Sequence, residues 1–188
     1  MHPSEVDENR RVASLLVVTG PPGAGKSSVA RLLADAAHRS VLIEGDAFFG
    51  FLASGAIEPW LPASNDQNTI VTKAAASAAG AFAAGGYTTV YDGVVGPWFL
   101  PTFGAATGLN RLDYAILLPS VEVCVQRVAT RRDHGFTDEA ATRKMHAEFL
   151  RARVADRHVL RDPPRDAVAV ADRVTSASEA GELTYAIR

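Results

Sequence analysis

The chain has 188 residues, a formal net charge of −2 and 47% hydrophobic residues. This charge excludes a general electrostatic attraction to nucleic acid or to a membrane surface, and the single Cys124 excludes a disulfide within the chain. No apolar run reaches membrane-spanning length, and residues 1–10 are polar rather than signal-like. We therefore expect one domain over residues 1–188 in the reducing cytoplasm, with no nucleic-acid or membrane partner. For the oligomeric state, the sequence is compatible with a monomer and with a homodimer.

The first predicted strand, Ser14–Thr19, leads directly into the pattern G-x-x-x-x-G-K-[ST]. The residues that fit it are Gly20, Pro21, Pro22, Gly23, Ala24, Gly25, Lys26 and Ser27. Glycines let backbone N–H groups wrap an anion, a lysine here reaches the β- and γ-phosphates, and a serine hydroxyl ligates Mg²⁺. A predicted helix over Lys26–Ala37, with Ser28 in its first turn, adds its positive end to the same spot. The sequence therefore predicts a site for ATP and Mg²⁺, although the motif also accepts GTP.

Two further predicted strands, Val41–Glu44 and Thr88–Asp92, run into an acidic residue beside glycine. Ligands of an open parallel sheet lie beyond the carboxyl ends of the strands, so Asp46 and Asp92 should face the γ-phosphate. We assign Asp46 to deprotonating and binding the acceptor. We assign Asp92 to holding Mg²⁺ while also lying against the acceptor.

Each assignment has a structural alternative. Asp46 could be the N-cap of a short helix at residues 47–53, and Asp92 could belong to an ordinary Asp-Gly turn. Glu44 is a third candidate for either task.

The remaining segments alternate between strand and helix patterns, which predicts an α/β fold with a five-stranded parallel sheet and helices on both faces. The predicted elements are an Ala-rich helix Asp66–Ala84, a strand Tyr114–Leu118, helices Val121–Arg132 and Asp138–Val159, a fifth strand Ala167–Ala171 and a last helix Ala177–Ile187.

The stretch expected to bind the acceptor, about residues 46–110, is poor in cations. Between Ala47 and Asn110, Lys73 is the only basic residue, and burying an anion without a paired cation is costly. Trp60 and Trp98 lie in loops rich in Pro and Gly and are candidates for the pocket walls. Gln67 and Asn68 offer amide groups, although they also suit an ordinary polar first turn of a helix. Apolar walls with a few amides predict a neutral, hydroxyl-bearing acceptor.

These motifs together resemble the P-loop small-molecule kinases, which include gluconate kinase, shikimate kinase, nucleoside monophosphate kinases and chloramphenicol phosphotransferase. The resemblance covers nearly the whole chain and implies that Asp46 acts as base or substrate anchor. It also implies that Arg127 packs on the adenine. A lid at about residues 131–140 would carry Arg131 and Arg132 as catalytic arginines.

We therefore interpret the sequence as an ATP-dependent phosphotransferase acting on a neutral hydroxyl compound, closest in character to the antibiotic-modifying phosphotransferases. An antibiotic, a nucleoside-like natural product or a sugar alcohol would fit as acceptor. A metabolic sugar or nucleoside kinase is the nearest alternative. An ATP-binding protein that sequesters a ligand without turnover is an alternative from another class.

Overall fold

A computed structural model describes residues 14–130 and 136–188. Six strands occur in these ranges: β1 (Ser14–Thr19), β2 (Ser40–Glu44), β3 (Thr88–Asp92), β4 (Arg111–Leu118), β5 (Val159–Arg161) and β6 (Thr184–Ala186). Seven α-helices accompany them: α1 (Lys26–Asp35), α2 (Gly45–Phe49), α3 (Asn65–Ala84), α4 (Leu100–Thr107), α5 (Val121–Thr130), α6 (Glu139–Arg151) and α7 (Ala167–Glu179). No helix in the described ranges is both long and apolar enough to cross a membrane.

Five strands form a parallel sheet in the order β2-β3-β1-β4-β5, and β6 adds to β4 in the antiparallel direction. Successive residues of β1 point to opposite faces, so Leu15 and Val17 join one core cluster while Leu16 and Val18 join the other. Residues of α3, α4 and α6 pack on the first face, and residues of α1 and α7 pack on the second. The predicted fold class, a parallel sheet covered on both faces, is confirmed.

The Ala-rich pattern does form one helix, as predicted, and its small residues allow close packing. A Cβ atom at Gly80 would overlap the backbone of Thr107, so α3 and α4 approach more closely than larger side chains would permit. This packing fixes α4 and the loop before it against the sheet.

The prediction for the end of the chain is wrong. Ala167–Ala171 is the start of helix α7, and the fifth strand is instead Val159–Arg161. The side chain of Asp166 caps α7 by accepting a hydrogen bond from the Val168 N–H, which favours helix over strand for the alternating Ala and Val that follow.

Two helix boundaries also differ from the prediction. The predicted helix Asp138–Val159 ends at Arg151, and the predicted helix Ala177–Ile187 is the last turn of α7 followed by β6. Because β6 pairs with the first half of β4, the last residues extend the sheet instead of covering it.

Candidate phosphate-transfer site

The loop between β1 and α1 has the backbone conformation that anion binding requires. Gly20, Gly23 and Gly25 have φ values of 146°, 77° and 96°, a region that side-chain-bearing residues rarely adopt. A Cβ at Gly23 would overlap the carbonyl of Cys124, so the loop lies directly on the backbone of α5. The predicted loop thus has the glycine-dependent geometry expected of a phosphate cradle.

Lys26 and Ser27 begin α1 directly beyond this loop. The Lys26 ammonium donates a hydrogen bond to the carbonyl oxygen of Pro21 at 3.2 Å, which folds the side chain back over the loop. The Lys26 charge also favours the ionised form of Asp92, so the two groups face one region of space. Ser28 lies in the same helical turn and lines a cavity beside the loop.

Asp92 is the last residue of β3, in the strand that pairs with β1, and its alignment with Val18 brings it to the mouth of the loop. Only 8% of its surface is exposed, and its Oδ1 has no hydrogen-bond partner among the described residues. The Ser27 hydroxyl is a hydrogen-bond partner of this carboxylate. Asp92 therefore belongs to a paired strand, and the Asp-Gly turn alternative is wrong.

Burial raises the pKa of Asp92 above its ordinary value, and the negative charges of Asp46 and Glu44 act in the same direction. The Lys26 charge and the Ser27 hydrogen bond oppose this rise only in part. A buried carboxylate with one unpartnered oxygen beside a serine hydroxyl is an oxygen donor set suited to Mg²⁺. Ser27 and Asp92 therefore fit the predicted metal role.

No group of three or more His, Cys, Asp or Glu side chains could hold a metal within residues 14–130 and 136–188. Mg²⁺ is commonly held by one or two protein oxygens together with substrate phosphates and water. Cys124 is fully buried, and burial raises the pKa of its thiol to about 11, so it is a core thiol and not a metal ligand.

Asp46 lies in the first turn of α2, which directly follows β2. Its side chain is exposed, and its charge acts on both Asp92 and Tyr91. The alternative of an N-cap is wrong, because Glu44 occupies that position and α2 spans 45–49. Glu44 itself forms an ion pair with Arg31 at 2.9 Å, on the α1 side of the sheet. Of the two carboxylates near the end of β2, Asp46 is the one without a cationic partner in the described ranges.

A cavity of about 370 Å³ lies on the other side of the phosphate loop. Its walls come from the loop and α1, from α5, and from the turn before α7, and include Ala24, Gly25, Ser28, Arg127, Thr130, Pro163, Pro164 and Arg165. The Arg127 guanidinium donates hydrogen bonds to the carbonyl oxygens of Gly23 and Ala24, both at 3.3 Å. Flat proline and guanidinium surfaces suit a planar aromatic ring, so the cavity fits a nucleobase.

The residues predicted to bind the acceptor lie around α2, α3 and α4, on the face of the sheet opposite to α1 and α7. Trp60 packs edge-on against Phe136, with ring centroids 4.9 Å apart. Trp98 packs against Phe149 of α6 at 5.2 Å and remains 43% exposed. Both tryptophans thus stand on irregular segments at the periphery of the site, where side chains can meet a ligand.

The two amides predicted for the acceptor site also organise the loop before α3. Gln67 exchanges two hydrogen bonds with the backbone of Ile57, at 2.8 and 2.7 Å. Asn68 Nδ2 donates to the Pro59 carbonyl and to the Ser64 hydroxyl, whereas its Oδ1 is buried without a partner among the described residues. Gln67 is therefore used to hold the loop, and Asn68 keeps one free hydrogen-bond acceptor.

The loop after β3 is fastened across the carboxyl end of the sheet. The Val95 N–H donates to the Thr19 hydroxyl at 2.9 Å, and the Tyr114 hydroxyl donates to the Val95 carbonyl at 2.6 Å. These two bonds tie the segment between Asp92 and Trp98 to strands β1 and β4. Arg131 and Arg132 lie outside the described residues, so their role in a lid stays a prediction.

A family model described as an AAA domain, AAA_33, matches residues 15–155. The chain belongs to the AAA_33 family. A search of curated proteins finds no match.

Solved structures similar to this AAA_33 protein share its fold at low sequence identity. They include a sugar kinase from Janibacter sp. HTCC2649 (20% identity, 88% of this chain and 94% of that chain, TM-score 0.66) and a gluconokinase from Sinorhizobium meliloti 1021 (21%, 92% and 95%, 0.66). A tunicamycin resistance protein from Deinococcus radiodurans is also similar (13%, 89% and 95%, 0.66). The AAA_33 chain thus has a P-loop kinase-like fold.

The sequence does not predict one wall of the cavity beside the phosphate loop. Residues 163–165 precede the predicted strand Ala167–Ala171, whereas in the structure they form the turn that leads into α7 and line the cavity. The sequence does contain a signal for this turn. Pro163 and Pro164 are followed by Asp166, and prolines shortly before an N-cap residue indicate the start of a helix.

Replacing Asp92 by Asn should change two properties of the AAA_33 protein: the pH dependence of its stability and the Mg²⁺ dependence of its nucleotide binding. The raised pKa means that the folded state holds its proton at a higher pH than the unfolded state does. Stability without metal should therefore fall as pH rises from the ordinary value near 3.8 through the raised pKa. Asp92→Asn should remove this fall and weaken the Mg²⁺ dependence of nucleotide binding.

Thermal unfolding of the metal-free proteins from pH 4 to pH 8 measures the first effect, and Mg²⁺ titration with ATP measures the second. Asp66→Asn is the matched control, since Asp66 is exposed in the first turn of α3. Identical pH profiles and Mg²⁺ titrations for wild type and Asp92→Asn would contradict the assignment.

Replacing Arg127 by Ala should weaken ATP binding, because the side chain both lines the cavity and holds two loop carbonyls. We expect a loss of about 10-fold in ATP affinity, the scale of a partly desolvated cation–π contact. Calorimetry with ATP and with inorganic tripolyphosphate distinguishes two contributions to this loss of affinity. A loss with ATP alone indicates a contact to the adenine, and an equal loss with tripolyphosphate indicates an effect on the phosphate loop. Arg111→Ala, an exposed residue at the start of β4, should leave both affinities unchanged, and an equal result for Arg127→Ala would contradict the assignment.

Proposed function

We propose that this AAA_33 protein transfers the γ-phosphate of ATP to a hydroxyl group of a neutral small molecule. The observation that carries the proposal is the arrangement of two carboxylates: Asp92 is buried beside Ser27, and Asp46 is exposed and close enough to raise the pKa of Asp92. A protein that only binds Mg-ATP needs the first carboxylate. The second, exposed one has a use when a hydroxyl must be oriented and deprotonated.

Each residue then has one task in the reaction. The glycine-rich loop binds the triphosphate, Lys26 pairs with its terminal phosphates, and Ser27 with Asp92 would hold Mg²⁺, which supplies positive charge to the phosphate oxygens when bound. The acceptor oxygen forms a bond to the γ-phosphorus, the bond from that phosphorus to the bridging oxygen breaks, and ADP leaves with the electron pair. Asp46 receives the hydroxyl proton.

Arg131 and Arg132 complete this proposal. We assign them to neutralising the charge that develops on the transferred group. The assignment rests on the resemblance to P-loop small-molecule kinases.

A neutral acceptor is supported by the charges of the acceptor region. Lys73, its one cation between residues 47 and 110, is an exposed residue of α3. We assign Gln67 and Asn68, whose amides hold the loop before α3, to the polar part of the pocket, and Trp60 and Trp98 to its apolar surface. Such walls select hydroxyl-bearing molecules over phosphates or carboxylates.

Three acceptor classes follow, in our order of preference. An antibiotic or nucleoside-like natural product comes first, and the shared fold with a tunicamycin resistance protein supports it. A sugar or nucleoside of metabolism comes second, supported by the shared fold with a sugar kinase and a gluconokinase. Sequestration of such a ligand without transfer is the third.

The test is a product screen by mass spectrometry with ATP, Mg²⁺ and a compound panel. The panel contains neutral sugars, polyols, nucleosides and antibiotics, with sugar acids and nucleoside monophosphates as anionic counterparts. We expect phosphorylated products from neutral compounds alone, and a strong decrease of these products with Asp46→Asn. Phosphorylation confined to the anionic compounds would overturn the neutral acceptor, and tight binding with no product would favour sequestration.

A further inference from the structure

Tyr91 immediately precedes Asp92 and points to the opposite face of β3, toward the acceptor region. Its ring packs edge-on against Phe103 of α4 with centroids 4.8 Å apart, and only 5% of the residue is exposed. The ring is therefore fixed, and the position of its hydroxyl is determined by the fold.

The Tyr91 hydroxyl lies between the two backbone segments that carry the site carboxylates. A Cβ atom at Gly45, the residue before Asp46, would overlap this hydroxyl, and a Cβ at Gly93, the residue after Asp92, would lie 3.0 Å from it. The absence of side chains at both glycines is what leaves room for the phenol.

This hydroxyl makes no hydrogen bond with any residue of 14–130 or 136–188. The buried side-chain atoms without a partner in those ranges are Asn68 Oδ1 and Asp92 Oδ1. Tyr91 Oη is not among them, so this oxygen keeps a small accessible surface although the residue as a whole is buried. A fixed, unpartnered donor between the segments that carry two site carboxylates is suited to recognise a ligand oxygen.

We propose that the Tyr91 hydroxyl donates a hydrogen bond to an oxygen of the acceptor adjacent to the hydroxyl that Asp46 deprotonates. The inference rests on the proposed phosphotransferase and narrows its substrate class. The acceptor carries two neighbouring oxygens, as in a 1,2-diol or in a hydroxyl next to a ring oxygen. Asp46 accepts a hydrogen bond from one of these oxygens, and Tyr91 donates a hydrogen bond to the other. An acceptor with a single isolated hydroxyl can bind Asp46 but leaves the Tyr91 hydroxyl without a partner.

The experiment compares acceptors that carry two neighbouring oxygens with matched lone alcohols: propane-1,2-diol with 1-propanol, cyclohexane-1,2-diol with cyclohexanol, and tetrahydrofurfuryl alcohol with cyclopentylmethanol. Each is assayed for phosphorylation and, by calorimetry, for binding, with wild type and with Tyr91→Phe. In at least one pair, wild type should prefer the oxygen-rich member by about 10- to 100-fold in KM, the scale for leaving a site donor unpaired. Tyr91→Phe should abolish this preference while kcat and Mg-ATP affinity stay within about twofold.

Tyr185→Phe is the matched control, since Tyr185 is half-buried on β6, and it should keep the preference. Thermal unfolding verifies that Tyr91→Phe is folded; should it not be, the wild-type preference alone decides. A wild type without preference, or a folded Tyr91→Phe that retains it, overturns the inference while phosphorylation itself still supports the proposed function. If the compounds bind with the same preference but are not phosphorylated, the proposed phosphotransferase activity is overturned and the Tyr91 contact is supported. If no compound of the panel binds or is phosphorylated, both proposals are overturned.

Discussion

Lys26→Ala should lower Mg-ATP affinity or transfer by about 100-fold or more, the scale for removing one charge aligned with a phosphoryl group. The side chain is folded over the phosphate loop by its bond to Pro21 and faces the Asp92 carboxylate. Alanine removes that charge and leaves α1 intact, because alanine is the best helix former. Calorimetry with Mg-ATP and a coupled assay of ADP release measure the two effects.

The control for this variant is Lys73→Ala, which removes a charge from an exposed position of α3. It should leave nucleotide affinity and transfer unchanged. Lys26→Ala should retain the melting temperature of wild type within a few degrees when no nucleotide is present. Unchanged Mg-ATP affinity and intact transfer in Lys26→Ala would show that the loop does not bind the triphosphate.

Asp46→Asn should lower transfer by about 100-fold or more, the scale of a lost general base. The amide keeps the shape of the side chain at the start of α2, and it can no longer take the acceptor proton. Nucleotide affinity should change little, because Asp46 acts on Asp92 only through its charge. Single-turnover transfer to an acceptor identified in the product screen, together with Mg-ATP binding, separates the two quantities.

Glu44→Gln is the informative comparison for Asp46→Asn. Glu44 is a neighbouring carboxylate, but its charge is already paired with Arg31 on the α1 side of the sheet, so the change should affect transfer far less. Full transfer by Asp46→Asn would refute the role of base. An altered Mg²⁺ dependence in Asp46→Asn, and not in Asp92→Asn, would reverse the two assignments.

The parts of the fold that the sequence predicted are those whose local pattern agrees with their tertiary position. Strand β1 is apolar because both of its faces are buried, and the glycines that follow it have the positive φ values that the motif requires. Strand β3 pairs with β1, which brings Asp92, the residue predicted to face the γ-phosphate, to the phosphate loop. For β1, the phosphate loop and β3, the local sequence pattern and the tertiary packing favour the same structure.

The parts that sequence reasoning missed depend on contacts between distant residues. Strand β5 has three residues, too few to show a period, whereas the longer alternation of Ala and Val after Asp166 is typical of a strand and falsely predicts one there. The two hydrogen bonds between Gln67 and Ile57 join residues that are ten positions apart and separated by an irregular loop. No local sequence pattern predicts such bonds. The cavity wall at residues 163–165 was missed for the same reason.

The two bonds to Val95 bear on how acceptor preference could be altered in this scaffold. Its N–H and carbonyl are both committed, to Thr19 at the phosphate loop and to the buried Tyr114. Insertions near residue 95 would therefore disturb the phosphate end of the molecule together with the acceptor end. The segment from 51 to 63 is fastened at its far end by side chains of α3. Loop grafting aimed at new acceptors is better directed to that segment, where sequence can diversify without reaching the triphosphate site.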